Sequence, residues 1–231
     1  MATYAPSCKV CAIPLSGVRA IPPRVLRGVR RNPKNPNYCN ICGDKAIKGE
    51  IAEITVLFAD VRGFTELTTT LGPMRTKQML DEYFHTVSEI LYAKDAIVDH
   101  FLGDAVMAFF NQPIKRPDHV AQAVTSGVEI LQTVTRLNGQ WSLPEPVGIG
   151  VGINTGHAAV GTVGSTDPKD YTAIGDVVNI AARLQGQAAA GEILVTDEAY
   201  QQIASAFPGA LQRVLELKGV RKPVTVYSLR H

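Results

Sequence analysis

Four groups of side chains in this chain of 231 residues have types and spacings that suit chemistry. Asp60 closes an apolar run and is followed by Val61-Arg62-Gly63-Phe64-Thr65, a turn entering a helical segment. Backbone donors in such a turn cradle phosphates while the carboxylate holds a divalent cation. Asp104 ends Leu102-Gly103-Asp104, a predicted hairpin tip, and lies beside Asp60 if the two strands are neighbours. Two close carboxylates repel unless cations sit between them, so the pair suits a two-metal phosphoryl-transfer site. Either aspartate alone reads equally well as a turn residue. Asn179 and Arg183 are four apart and share a helix face. An amide and a guanidinium aimed together suit a ribose oxygen and a developing phosphate charge; the plain alternative is two solvated polar residues.

The fourth group is Cys8-Lys-Val-Cys11 with Cys39-Asn-Ile-Cys42, which together hold every cysteine of the chain. Two such knuckles supply the four thiolates of a structural zinc site, with an iron–sulfur cluster or unliganded redox thiols as alternatives. The intervening loop, 27 residues from Ala12 to Tyr38, exceeds the usual ribbon spacing of roughly 15 to 20. Within it Ile21-Pro22-Pro23 and Asn32-Pro33-Lys34-Asn35-Pro36-Asn37 are predicted to oppose helix and strand, because proline lacks a donor and restricts its predecessor. A segment this poor in core material needs a staple, which a metal would provide.

The elements that must position these groups follow from hydrophobic period. Ile54 to Ala59 reads as a buried strand, and Leu80, Tyr83, Phe84, Val87, Ile90 and Leu91 recur as one face of a helix. Ala96 to Phe101 and Ala105 to Phe110 form the hairpin, and Val120, Val124, Val128, Leu131 and Val134 mark a second helix. Pro146 to Thr166 has no Asp, Glu, Lys or Arg, yet its six glycines and central Asn154 and His157 suit two short strands around a turn better than a membrane helix. A helix from about Val177 to Leu184, a strand Glu192 to Val195 and a strand Val224 to Leu229 complete an α+β sandwich with helices on one face of an antiparallel or mixed sheet.

Composition agrees with a globular chain: 45% apolar and 19% charged, with a mean hydropathy of +0.05, excludes collagen-like, coiled-coil and wholly disordered classes. The net charge of +2 hides an asymmetry. Residues 1–48 carry nine basic side chains against one acid, Asp44, a local charge of +8, so the remainder carries −6. A basic four-cysteine module over 1–48 and a second domain over 49–231 are therefore expected. The basic segment is either a solvated linker or a partner for nucleic acid, another polyanion or an anionic membrane surface. The first 20 residues, with Pro6, Lys9, Pro14 and Arg19, lack a secretory signal, and a soluble cytoplasmic protein without a transmembrane segment is expected.

Phe58-Ala-Asp-Val-Arg-Gly-Phe-Thr65, Phe101-Leu-Gly-Asp-Ala-Val-Met107 and Tyr171-Thr-Ala-Ile-Gly-Asp-Val-Val-Asn-Ile-Ala-Ala-Arg183, in this order and spacing, resemble a class III nucleotidyl cyclase domain. The similarity spans about residues 51 to 231, including Gly191-Glu-Ile-Leu-Val195 and Leu217-Lys-Gly219. The resemblance implies a ferredoxin-like βααββαβ core, with helices packed on a mostly antiparallel sheet, and a homodimer whose active sites lie between protomers. It implies that Asp60, Asp104 and the Val61 backbone hold two Mg²⁺ or Mn²⁺ ions, with Val61, Arg62, Gly63 and Phe64 near the triphosphate. Asn179 resembles the residue that positions the ribose and Arg183 the transition-state arginine, both supplied by the partner chain. Lys218, Arg221 and Lys222 compete as the cation on the terminal phosphates.

Adenine-specific members resemble one another in a lysine and an aspartate at positions held here by His100 and Thr172. Neutral His100 donates or accepts by tautomer, and Thr172 does both, so this pair discriminates weakly between bases. The expected reaction is conversion of ATP to 3′,5′-cyclic AMP and pyrophosphate. GTP or a pyrimidine triphosphate is the alternative substrate, and a non-catalytic dimer scaffold, its module binding a partner or nucleic acid, is the alternative role.

Overall fold

The computed structural model describes residues 4–45, 49–143, 145–163 and 170–230; Lys48, one of the nine basic side chains of the N-terminal segment, and Gly164, one of the six glycines of Pro146 to Thr166, lie outside them. In chain order the elements are α1 (Ile21–Arg27), β1 (Arg31–Asn32), β2 (Asn35–Cys39), α2 (Asn40–Lys45), β3 (Glu50–Val61), α3 (Phe64–Leu71), α4 (Pro73–Ala93), β4 (Ile97–Leu102) and β5 (Ala105–Phe110). They continue with α5 (His119–Trp141), β6 (Ile149–Val163), β7 (Asp170–Ile174), α6 (Asp176–Gln187), β8 (Glu192–Thr196), α7 (Asp197–Tyr200), β9 (Leu211–Leu215) and β10 (Val224–Arg230). From β3 to β6 the order is the expected βααββαβ. The main sheet runs β4-β5-β3-β6-β8-β10-β9 with β7 beside β6, and only β6 and β8 pair in parallel.

The central strand β3 shows why the sheet is covered on both faces. Successive side chains of a strand point to opposite sides. Leu57, Ala59 and Val61 join the cluster filled by α4 and α5, while Ala52, Ile54 and Val56 join another cluster on the opposite face. That second cluster is built from Val177 and Ala181 of α6 and from Cys8, Leu15, Val29, Tyr38, Cys39 and Cys42 of the N-terminal segment. The expectation of helices on one face is therefore corrected. A continuous apolar run such as Ile54–Ala59 marks a strand buried on both sides, and the cysteine segment supplies part of the second cover.

Two local expectations also change. Pro146–Thr166 is not a pair of short strands around a turn; its described part contains the single long strand β6. Its glycines mark close approach: a Cβ on Gly152 would lie 2.2 Å from the Gln185 amide nitrogen and 2.3 Å from the Ala181 oxygen of α6, and one on Gly150 would lie 2.3 Å from the Arg62 guanidinium. The prolines do not abolish structure between the knuckles. Pro22 and Pro23 occupy the first turn of α1, where no intrahelical donor is required. Pro36 sits in β2 of a two-stranded ribbon, where Arg31 pairs with Cys39 and Asn32 with Asn35. Among the described residues no helix is long and apolar enough to cross a membrane.

Candidate active site

β3 and β5 pair side by side, Ala59 opposite Val106, which brings Asp60 and Asp104 together at one end of the sheet. Burial and the neighbouring Asp60 push the Asp104 carboxyl up to about 7, while the backbone N–H groups of Asp104 and Val61 pull it the other way. Gln185 Nε2 donates to Asp60 Oδ2 at 2.9 Å. The Tyr83 hydroxyl, buried beside the same two acids, has no hydrogen-bond partner in the structure. Two carboxyl groups close enough to share a proton, with an unpaired hydroxyl next to them, fit a divalent cation better than they fit each other.

The turn after β3 carries the other residues assigned to the triphosphate. Gly63 and Phe64 open α3. The Arg62 guanidinium points elsewhere: its Nη2 donates to the Gln185 carbonyl at 2.5 Å, so Arg62 ties the turn to α6.

Helix α6 separates two functions by its faces. Val177, Ala181, Leu184 and Gln185 are buried against the sheet. Asn179 and Arg183, together with Asp176 and Ile180, line a cavity of about 590 Å³ closed by Gly219, Val220, Arg221 and Lys222. Neither Asp60 nor Asp104 lines it. Lys218 lies in a neighbouring depression that it shares with Arg221 and Lys222.

His100 and Thr172, the pair expected at the base, are brought together by a residue between them. His100 is exposed on β4, and Thr172 is half-buried on β7. Thr172 Oγ1 donates to Asp99 Oδ2 at 2.5 Å, and His100 Nδ1 lies 3.5 Å from the same oxygen.

Comparison with known proteins shows the family of the fold. The sequence profile of the family described as "Adenylate and Guanylate cyclase catalytic domain" matches residues 47–231. The chain belongs to that family. Adenylate cyclase 1 of Rhizobium meliloti is 38% identical over 140 residues, covering 58% of this chain and 20% of that protein. This cyclase-family chain thus spans about a fifth of that relative's length. The structure of the adenylyl cyclase CyaB from P. aeruginosa superposes with a TM-score of 0.74 at 34% identity, over 79% of this chain and 95% of that one. The guanylyl cyclase Cya2 superposes with a TM-score of 0.72 at 29% identity, over 78% and 92%.

The chain carries a second candidate centre at its N-terminal segment. The sulfurs of Cys8, Cys11, Cys39 and Cys42 all lie within 4.8 Å of one another, with Cys11 and Cys39 at 3.7 Å. Tetrahedral thiolates about 2.3 Å from one zinc ion are separated by roughly 3.8 Å, so this cluster fits a single ion. The Cys39 and Cys42 amides donate to the sulfurs of Cys8 and Cys39 at 3.3 and 3.4 Å. Burial opposes ionisation of Cys8, but the surrounding backbone N–H groups outweigh it and bring the thiol down to about 7. Burial pushes Cys39 and Cys42 up. A cation would favour ionisation of all four.

Three residues around the candidate site escape a reading by motif. Asp99 carries a signal, a charge inside the strand pattern Ile97-Val98-Asp99-His100-Phe101. Gln185 lies four residues beyond Ala181, on the buried face of α6, where a polar residue needs a partner. Lys34, which meets Asp99 across 65 positions of sequence, leaves no local trace.

The raised Asp104 carboxyl gives a pH prediction. Its folded value exceeds the unfolded one, about 3.9, so the cation-free protein holds an extra proton between about pH 4 and 7. This contribution to stability is full below about pH 4 and is lost as pH rises through 7. Mn²⁺ competes with that proton and is expected to raise the melting temperature more at pH 8 than at pH 6. Equal shifts in differential scanning fluorimetry at the two pH values would contradict this, and Asp104→Asn is expected to abolish the difference.

Proposed function

We propose that residues 49–231 are the catalytic domain of a homodimeric adenylate cyclase, which converts ATP to 3′,5′-cyclic AMP and pyrophosphate. Residues 1–48 form a zinc-stapled module in this reading. The observation that carries it is the division of α6. Gln185 turns onto Asp60 of its own chain, while Asn179 and Arg183 turn into a cavity that neither Asp60 nor Asp104 lines. A second copy placing its cavity against the first copy's acids would complete a site, and twofold symmetry would complete two.

Asp60, Asp104 and the Val61 backbone would hold two Mg²⁺ or Mn²⁺ ions. When bound, these ions acidify the ribose 3′-hydroxyl and neutralise phosphate charge. Asn179 would orient the ribose so that its 3′-oxygen attacks the α-phosphorus in line with the departing pyrophosphate. Arg183 would stabilise charge developing on the transferring phosphoryl group, and Arg221 and Lys222, from the same cavity, would hold the terminal phosphates. Lys218 is displaced from that cavity, which makes it the weakest of the three cations for this role. His100 and Thr172 would face the base.

Adenylate rather than guanylate activity is favoured by the 34% identity to CyaB against 29% to Cya2. The test is incubation of the purified chain with Mn²⁺ and each nucleoside triphosphate in turn, with products identified by mass. Cyclic AMP from ATP is expected. A cyclic product from GTP alone would reassign the substrate, and no cyclic product from any triphosphate at micromolar protein would refute the enzyme reading.

A further inference from the structure

The cysteine module does more than cover the sheet, because it reaches the residues assigned to the base. β4 is the edge strand, and a bulge between Val98 and His100 breaks its pairing with β5. A bulge re-aims the side chain at the irregularity. The Asp99 side chain is completely buried as a result, while His100 remains exposed. The turn between β1 and β2 docks along this edge. Asn35 Nδ2 donates to the Ala96 carbonyl at 2.8 Å, and the Val98 amide donates to the Lys34 carbonyl at 3.0 Å. Lys34 Nζ then pairs with Asp99 Oδ1 at 2.6 Å and donates to the Tyr171 carbonyl at 2.7 Å.

Two consequences follow for the neighbouring groups. Thr172 has one hydroxyl proton, and it is directed at Asp99 Oδ2, so toward a ligand Thr172 presents only lone pairs. A buried carboxylate requires a cationic partner, and both Lys34 and His100 stand within reach. Lys34 takes Oδ1 at 2.6 Å, the closer of the two contacts, and leaves Oδ2 to Thr172 and the imidazole.

We infer that Lys34 is a positioning residue for nucleotide-base selection. By neutralising Asp99 it holds Thr172 as an acceptor next to the His100 ring, so the N-terminal module sets the donors and acceptors offered to the base. The inference rests on the assignment of His100 and Thr172 to the base under Proposed function.

Its test uses binding rather than turnover, which separates it from failure of the cyclase reading. The full chain is titrated calorimetrically with 3′-deoxy-ATP and 3′-deoxy-GTP, which lack the attacking hydroxyl, in the presence of Mn²⁺. The wild type is expected to discriminate between the two. Lys34→Met is expected to move the ratio of dissociation constants about tenfold toward one, the effect of losing one well-placed hydrogen bond to a base. Lys34→Arg is expected to keep most of the discrimination. Lys34→Met combined with Asp99→Asn is expected to keep it as well, because the new amide oxygen still accepts from Thr172 and no buried charge is left unpaired. The double variant also carries the test if Lys34→Met alone does not fold. An unchanged ratio in Lys34→Met, a lost ratio in the double variant, or a wild type that binds both nucleotides equally would each overturn the inference.

Discussion

Mixing a chain carrying Asp60→Asn with a chain carrying Arg183→Ala, each inactive alone, is expected to restore about a quarter of wild-type activity. Random pairing of equal amounts makes about half of the dimers heterodimers, and each has one complete site of two. In that site the acids come from the Arg183→Ala chain and the arginine from the Asp60→Asn chain. Separately, Arg183→Ala is expected to lower kcat by roughly 10² to 10³ with little change in KM, because a donor aimed at developing charge acts in the transition state. Asp60→Asn is expected to lose activity and the Mn²⁺-dependent thermal shift together. A mixture as silent as its components, in a product assay at micromolar protein, would mean that acids and arginine do not meet across two chains.

Removing the metal from the four-thiolate cluster is the other large effect. Purified protein is expected to hold about one zinc per chain by elemental analysis, and Cys39→Ser is expected to hold none. Free zinc fingers derive about 10 to 16 kcal/mol from their ion. Here the cysteines share an apolar cluster with β3, β5 and α6, so part of the packing persists and the loss is smaller. A fall in melting temperature of about 10 °C is expected for Cys39→Ser, corresponding to roughly 3 to 5 kcal/mol in a chain of this size. A chelator strong enough to strip the wild type is expected to reproduce it. A stripped protein that melts where the loaded one does would refute a structural role for the ion.

The core of the cyclase fold was readable where hydrophobic period and polar spacing agree. The strand ending at Asp60, the hairpin bearing Asp104 and the helix carrying Asn179 and Arg183 stand where apolar runs and the i,i+4 rule put them. Reading failed where one residue type serves two purposes. Glycines in β6 resembled a turn, but Gly150 and Gly152 make room for Arg62 and α6, and nothing in the strand itself reveals what approaches it. Prolines of the N-terminal segment resembled breakers, although a first helical turn and a short ribbon tolerate them. Asp99 was hidden because a bulge reverses the direction a strand position would otherwise take.

The way α6 sorts its side chains has a consequence for control in the cell. If the site proposed above is shared between two copies, a solitary chain would bear two incomplete halves, and neither would turn over nucleotide until a twin arrives. Specific activity would then climb with dilution reversed, so that synthesis and degradation of the polypeptide act as a switch without any effector.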